Sequence, residues 1–573
     1  MQLFKERISF LVSSKLKIKE DLISLIEIPP DQKLGDLSLP CFNLAKTLKK
    51  SPVEISKSLS ELSDIYFSKI EAKGPYLNFF INPTILSSIV IKEILKQKAK
   101  YGSKDIGKKE SVLIDCSSPN IAKPFSIGHL RSTIIGYSLY KIYNFLNFKA
   151  KTLNHLGDWG TQFGKLIVAY KKWGKEAELK KAPIKHLLEI YVKFHKEAEL
   201  NKDLEEEARK AFSQLESGNK QYLKLWKKFS EESKKEFNKI YKLLDVKFDY
   251  TIGESFYIPQ LESTLKILSP LLKEDNEATI VDLSQFNLPP ALIKKSDGAT
   301  LYVTRDLASL LYRINKLKSK RLLYVVGSEQ SLHFEQLFSI CKLLNLKVES
   351  HHIKFGLIML PEGKMSTRKG NVIFLEDVFN KLEELASEIL KEKGLSSNKK
   401  ETAQMIATAS LIYADLSNDR VNTITFDWNR VLDFNGNSAP YIQYTNARAL
   451  SILNSGFVNN SGFVNNSRFV KGATLTKQSP DFSKLIHPKE LTLIKHLSLF
   501  QEKVIQSYQS NKPHVIANYS HELCQIFNEF YHECSVLKSQ KDLKDARLSL
   551  VKAFTIVLAN AMSLLNIKLP KKM

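Results

Sequence analysis

Residues 117–133 read SSPNIAKPFSIGHLRST, setting Lys123 and His129 beside Pro119, Pro124 and Gly128, between an apolar β-branched run and a helical one. That combination suits phosphate binding. Val112, Leu113 and Ile114 have the character of a parallel strand buried on both faces. From 130 to 143 apolar residues recur at helical spacing, so Gly128 and His129 fall near a helix N-terminus, where free N–H groups and the positive end of the dipole attract anions. Downstream, Lys364, Met365, Ser366, Thr367, Arg368 and Lys369 form a second basic block, which Gly363 and Gly370 mark as a loop. Attack on a phosphorus atom needs fixed donors and cations around the charge that develops. The two blocks carry both.

The first block resembles the HIGH signature of class I aminoacyl-tRNA synthetases, in the extended form found in arginyl-tRNA synthetases, where Asn, Ala and Lys precede it, here Asn120, Ala122 and Lys123. The second resembles the KMSKS signature and follows in the family's order. The resemblance implies an ATP site made by Ser126, Gly128, His129, Lys364, Met365 and Ser366, with Mg²⁺ accompanying ATP and His129, Lys123 and Lys364 acting on the phosphates. No metal held by the protein alone is expected. Two positions depart from the signatures: Ser126 stands for the first His and Thr367 for the last Lys. The second departure is common in arginyl enzymes, where bases such as Arg368 and Lys369 supply the charge. A hydroxyl cannot be cationic, so Ser126 is expected to reach phosphate through water or to leave the role to His129, Lys123 and Lys364.

A guanidinium substrate calls for planar carboxylate partners in a desolvated pocket. Tyr302 and Asp306 are four residues apart and share a face if a helix has begun there. The resemblance implies that Asp306 and Tyr302, with Glu254, Gln330 and Asn120, form the arginine site, Asn120 at the α-amino or carboxylate end. The run 155–164, HLGDWGTQFG, closely matches a block distinctive of the same family. For its Asp158, Trp159 and Gln162, a structural loop and a place beside the active site remain equally open. Near the C-terminus, 438–448 (SAPYIQYTNAR) resembles the family's anticodon-binding bundle, with Tyr441, Tyr444 and Asn446 as candidates for stacking on and bonding to splayed RNA bases. Two rivals stay in view: a class I synthetase for another amino acid, and a catalytically silent tRNA-binding relative. The retained His129, Lys364 and guanidinium set argue for an active arginyl enzyme.

The elements that must position these residues can be read along the chain. Its 573 residues exceed what one core can hold. A formal charge of +24 suits a polyanionic partner, and no uninterrupted apolar run predicts a membrane span. The five cysteines, Cys41, Cys116, Cys341, Cys524 and Cys534, are scattered without metal-ligand spacing and fit a reducing compartment. The reading is an α/β protein: a small N-terminal α/β domain over 1–105 for the tRNA elbow, a Rossmann-like parallel-sheet catalytic domain over 106–370, a helical connection over 371–440 and an all-helical anticodon-binding domain over 441–573. Runs at 112–116, 150–153, 322–326 and 353–358 are its expected parallel strands. The Lys- and Glu-rich 175–239 is a helical insertion with a solvated charged face, and the repeat SGFVNN at 455–466 is a loop insertion. The expected protein is a cytoplasmic monomer that takes L-arginine, ATP and tRNA(Arg).

Overall fold

The computed structural model describes residues 1–275, 278–294, 302–359, 374–392, 399–425, 427–458 and 480–573. Lys364, Met365 and Ser366 lie outside these residues, as do most of the SGFVNN repeat and the loop at 394–398.

The N-terminal module is a three-stranded antiparallel sheet in which Tyr76–Ile81 lies between Leu37–Pro40 and Phe67–Lys73. The Gln2–Leu16 helix buries Phe4, Ile8 and Val12. The catalytic domain is built on five parallel strands: β1 (Ser111–Asp115), β2 (Lys149–Leu156), β3 (Tyr250–Gly253), β4 (Arg321–Tyr324) and β5 (Glu349–His352), in the order β5-β4-β1-β2-β3. The chain leaves β1 toward β2 and later returns to β4 on the other side. The switch point therefore lies between β1 and β4, where an open α/β sheet binds its ligand.

Three of the four expected strands appear, at β1, β2 and β4. The fourth needs correction, because 353–358 lies beyond β5, whose own residues are Glu349, Ser350, His351 and His352. An edge strand with half-exposed side chains carries no apolar run, and Ile353 is buried only where the strand ends. Ile358 instead begins a two-residue strand, Ile358–Met359, paired in parallel with Ile424–Thr425. An antiparallel sheet of Leu272–Asp275, Ala278–Val281 and Ala291–Lys294, inserted between β3 and β4, was not expected at all.

The 175–239 insertion is helical, with Glu176–Lys181, Pro183–Leu200, Asp203–Glu216 and Lys220–Leu243 as its helices. Its exposed pairs Lys235–Glu232 and Lys239–Glu236 lie along the outer face. After the paired helices Leu375–Glu392 and Lys399–Leu416 comes the bundle: Ala439–Val458, Pro488–Ser498, Phe500–Ser510, His514–Glu533 and Lys541–Leu564. The last is long and apolar enough to cross a membrane, but 72% of its apolar window is buried, and Phe554 stacks on Phe527 at 3.9 Å. It is the core helix of the bundle. Ser455, Gly456, Phe457 and Val458 belong to the end of the Ala439–Val458 helix, so the repeat begins in helix rather than wholly in a loop. The ion pairs Lys5–Glu502 and Asp36–Lys495 bring the N-terminal module against the bundle.

Candidate active site

The corner after β1 is held from two sides. Asp115, at the strand's end, is buried and paired at 2.7 Å with Arg313, which comes from helix α1 (Tyr302–Asn315). Ser117, Ser118 and Ala122 take left-handed backbone conformations, and the Lys220–Leu243 helix ties this crooked path down. Its Tyr241 hydroxyl meets Ser117 Oγ at 2.8 Å, and its Ser233 hydroxyl accepts the Ala122 N–H at 2.8 Å. The Lys220–Leu243 helix thus braces the corner with its inner face.

Asn120 pairs in parallel with Gly157. A Cβ on Gly157 would stand 2.2 Å from Asn120 Oδ1, so any other residue would push the Asn120 amide out of this position. The helix that follows, Ile127–Phe145, starts at Ser126, which forms a reciprocal capping box with His129. The Ser126 backbone N–H donates to His129 Nδ1 at 3.0 Å, and the Ser126 hydroxyl lies 3.1 Å from the same nitrogen. A neutral imidazole accepting at Nδ1 carries its proton on Nε2. Burial first, and then the charge of Lys123, push His129 down to about 4. His129 is therefore an uncharged donor through Nε2 at neutral pH. Among the described residues, the Ser126 N–H and hydroxyl both meet His129. A Cβ on Gly128 would touch only Ser126 Oγ, at 3.6 Å, leaving that side of the first turn open.

The second half of the site gathers at the carboxyl ends of β2, β3 and β4. Glu254 follows β3 directly. Its Oε2 is buried without a hydrogen-bond partner among the described residues, and the Arg305 guanidinium is 4.0 Å away. Burial, then the negative charges of Asp306 and Asp158, raise Glu254 to about 8 against the pull of Arg305. Asp306, in the second turn of α1, meets His333 Nε2 through Oδ2 at 2.6 Å. Burial lifts its carboxyl, but His333, His155 and Arg313 together outweigh that and hold it below the ordinary range. Tyr302 opens α1. Gln330 is exposed in the turn after β4.

Of the 155–164 block, Asp158 is fully committed: Oδ1 accepts the Ser255 N–H and Oδ2 the Ser255 hydroxyl, both at 2.8 Å. A Cβ on Gly253 would lie 2.1 Å from Asp158 Oδ2, so a larger residue there would displace the Asp158 carboxylate. Asp158 holds the turn that carries Glu254. Trp159 packs edge-on against Phe212 and Trp226 of the insertion, and Gln162 bonds locally to the Trp159 carbonyl.

In the bundle, Tyr441, Tyr444 and Arg448 are partly exposed, with Arg448 above the rings of both Tyr444 and Tyr531 at 5.0 and 5.2 Å. Asn446 turns inward, 4% exposed, and donates to the Pro570 carbonyl. That is a packing role, which removes it from the open face. Sequence reasoning missed His333, Arg313 and Arg131. His333 could have been found, since it lies one helical turn past Gln330; the two arginines are read only from their distant partners.

Three family models match the chain: Arginyl tRNA synthetase N terminal domain over 2–81, tRNA synthetases class I (R), catalytic domain over 90–428, and DALR anticodon binding domain over 442–573. An arginine–tRNA ligase of Alkaliphilus metalliredigens is 42% identical over 580 residues, and one of Clostridioides difficile 41% identical over 582, each covering all of both chains. Among solved structures, the arginyl-tRNA synthetases of Thermus thermophilus (TM-score 0.81, 22% identity) and Plasmodium falciparum (0.80, 24%) match over the whole of both chains. At such identities they speak for the fold alone.

Proposed function

The chain belongs to the arginyl-tRNA synthetases of class I, and from that premise we propose which of its residues perform the family's reaction. It is an arginine–tRNA ligase that consumes ATP. The arginine carboxylate attacks the α-phosphorus of ATP, the bond to the β-phosphate breaks, and pyrophosphate leaves. A hydroxyl of the 3′-terminal ribose of tRNA(Arg) then attacks the arginyl carbonyl and AMP departs.

In this reading His129 Nε2 and Lys123 meet the phosphates from the first corner, with Gly128 leaving the adenine its space. Lys364, Met365 and Ser366 serve the ATP from the second block, and Mg²⁺ comes in with the nucleotide. Ser126 acts behind His129. Asn120 takes the α-amino or carboxylate end of arginine, while Asp306 and Glu254, with Tyr302 and Gln330, hold the guanidinium. The observation that carries the pocket is Glu254 Oε2, a buried acceptor with no hydrogen bond among the described residues, only a long 4.0 Å ion pair to Arg305, beside a second carboxylate. Such a pair is costly when empty and is relieved by a planar cation. Arginine binding would then displace the Glu254 proton. In the bundle, Tyr441 and Tyr444 face the anticodon, whereas Asn446 secures the C-terminal segment. The domains are those read from the sequence, the protein is a monomer, and its five buried thiols suit the cytoplasm.

The direct test is aminoacylation of total tRNA with each amino acid in turn; charging by an amino acid other than arginine would overturn the reading. Asp306→Ala is expected to lose about 1.5–3 kcal/mol of arginine binding, roughly 10- to 150-fold in KM, with ATP little affected. An unchanged arginine KM removes Asp306 from the pocket. A net charge of +24 further predicts that tRNA affinity falls steeply with salt through counterion release, while arginine and ATP binding respond much less. Filter binding over a salt series checks this, and a flat tRNA curve would contradict a broad phosphate footprint.

A further inference from the structure

We propose that His333 is a positioning residue of the arginine pocket: its Nε2–H fixes the rotation of the Asp306 carboxylate, so that the remaining lone pairs meet the planar fork of a guanidinium. This rests on Asp306 being a guanidinium partner. The bond joins two elements, α1 and the helix α2 (Ser331–Leu343), and spans 2.6 Å. Neither side chain is in the core: His333 is 19% and Asp306 32% exposed, which places the bond where a ligand can reach it. The ring of His333 is itself held edge-on by the buried Phe334, at 5.4 Å.

The terminal torsion of an aspartate is broad and roughly two-fold, so a carboxylate with no fixed partner samples many orientations. A two-pronged bond with a guanidinium tolerates few of them. An ionised carboxylate offers about four lone-pair sites, and His333 uses one, leaving acceptor capacity for the substrate. The charged and titratable groups facing Asp306 are His333 from α2, His155 from β2, Glu254 from the turn after β3, Tyr324 from β4, and Arg313 on its own helix. His333 leads the influences that lower the Asp306 carboxyl, against burial that raises it. Without His333 the carboxyl loses the largest of the influences that lower it and rises, with His155 and Arg313 still opposing burial. Any proton that Asp306 takes up as pH falls is then a second one for arginine to displace, so binding weakens toward acid pH.

The test is steady-state aminoacylation by the full chain at saturating ATP and tRNA. His333→Ala and His333→Leu, the latter keeping bulk without a donor, are expected to raise arginine KM about tenfold, with kcat and ATP KM within about twofold. The rise should be larger at about pH 6 than at about pH 8. His333→Gln, which keeps a donor, should stay within about threefold of the parent. In an Asp306→Ala background, His333→Leu should add almost nothing, because it acts through Asp306. A parental arginine KM in the Leu variant, or a Gln variant no better than Leu, overturns the proposal. If Asp306→Ala itself leaves arginine KM unchanged, it is the pocket reading that fails.

Discussion

His129→Ala is expected to slow arginyl-adenylate formation by about 10²–10³, or ~2.7–4 kcal/mol, the cost of removing one preorganised donor from a developing phosphoryl charge. The size follows from how firmly the donor is set. His129 Nδ1 accepts the Ser126 backbone N–H, which keeps the proton on Nε2, and burial with Lys123 lowers the imidazole to about 4. Nothing must reorganise when the reaction begins. The lowered value also predicts that His129 contributes no step to the rate between about pH 6 and pH 8, since it is neutral throughout. Ser126→Ala keeps the backbone N–H and loses the helix cap, worth about 1 kcal/mol, so activation should fall less than about fivefold. Single-turnover adenylate formation in the presence of tRNA compares the two variants. Equal damage from both would mean that the hydroxyl itself touches phosphate.

What the sequence displays and what it hides divide along physical lines. The corner 117–133 is legible because a strand, a break and a helix follow one another within the stretch, and each leaves its own period. Glu254 and Asp306 stand out in the sequence because their neighbours match the family's blocks. Asp158 does not, because its two partners lie on Ser255, 97 residues away. The apolar run at 353–358 misleads because it records burial after an edge strand, not the strand itself. The inserted sheet is silent for a related reason: in Leu272–Asp275 three of four residues are exposed, so no alternation of a buried face marks it. Asn446 is a different case. Positions 441, 444 and 448 share one helical face and 446 lies off it, so spacing alone could have separated the inward amide from the two tyrosines.

Arg131→Met is expected to cost about 3–5 kcal/mol of stability, the scale of a buried ion pair broken from one side. Arg131 is completely buried in the Ile127–Phe145 helix, 3.1 Å from Asp415, itself 4% exposed. Its Nη1 also donates to the carbonyls of Gly356, Leu357 and Asn422 at 2.6, 3.1 and 2.9 Å. One guanidinium thus joins the helix of the phosphate corner to the segments that pair at Ile358–Met359 and Ile424–Thr425. Removing it strands a carboxylate and takes a donor from three carbonyls, of which Leu357 keeps the Ile424 N–H. The pH dependence has a definite sign. Burial outweighs Arg131 and raises Asp415 to about 6, above the value of about 4 expected for an unfolded aspartate. Between these values the folded chain binds more protons than the unfolded one, so the share of stability from Asp415 is full at acid pH and declines as pH rises through about 6. Without Arg131 the carboxyl rises further, and the decline should extend to higher pH. Asp415→Asn, which cannot ionise, should show none of it, and Arg131→Met/Asp415→Asn should recover more than half of the loss in the single variant at about pH 8. Thermal midpoints of the four proteins, taken from about pH 5 to pH 8, read this directly. If the double variant is no more stable than Arg131→Met, the cost lies in the three carbonyls and not in the stranded charge.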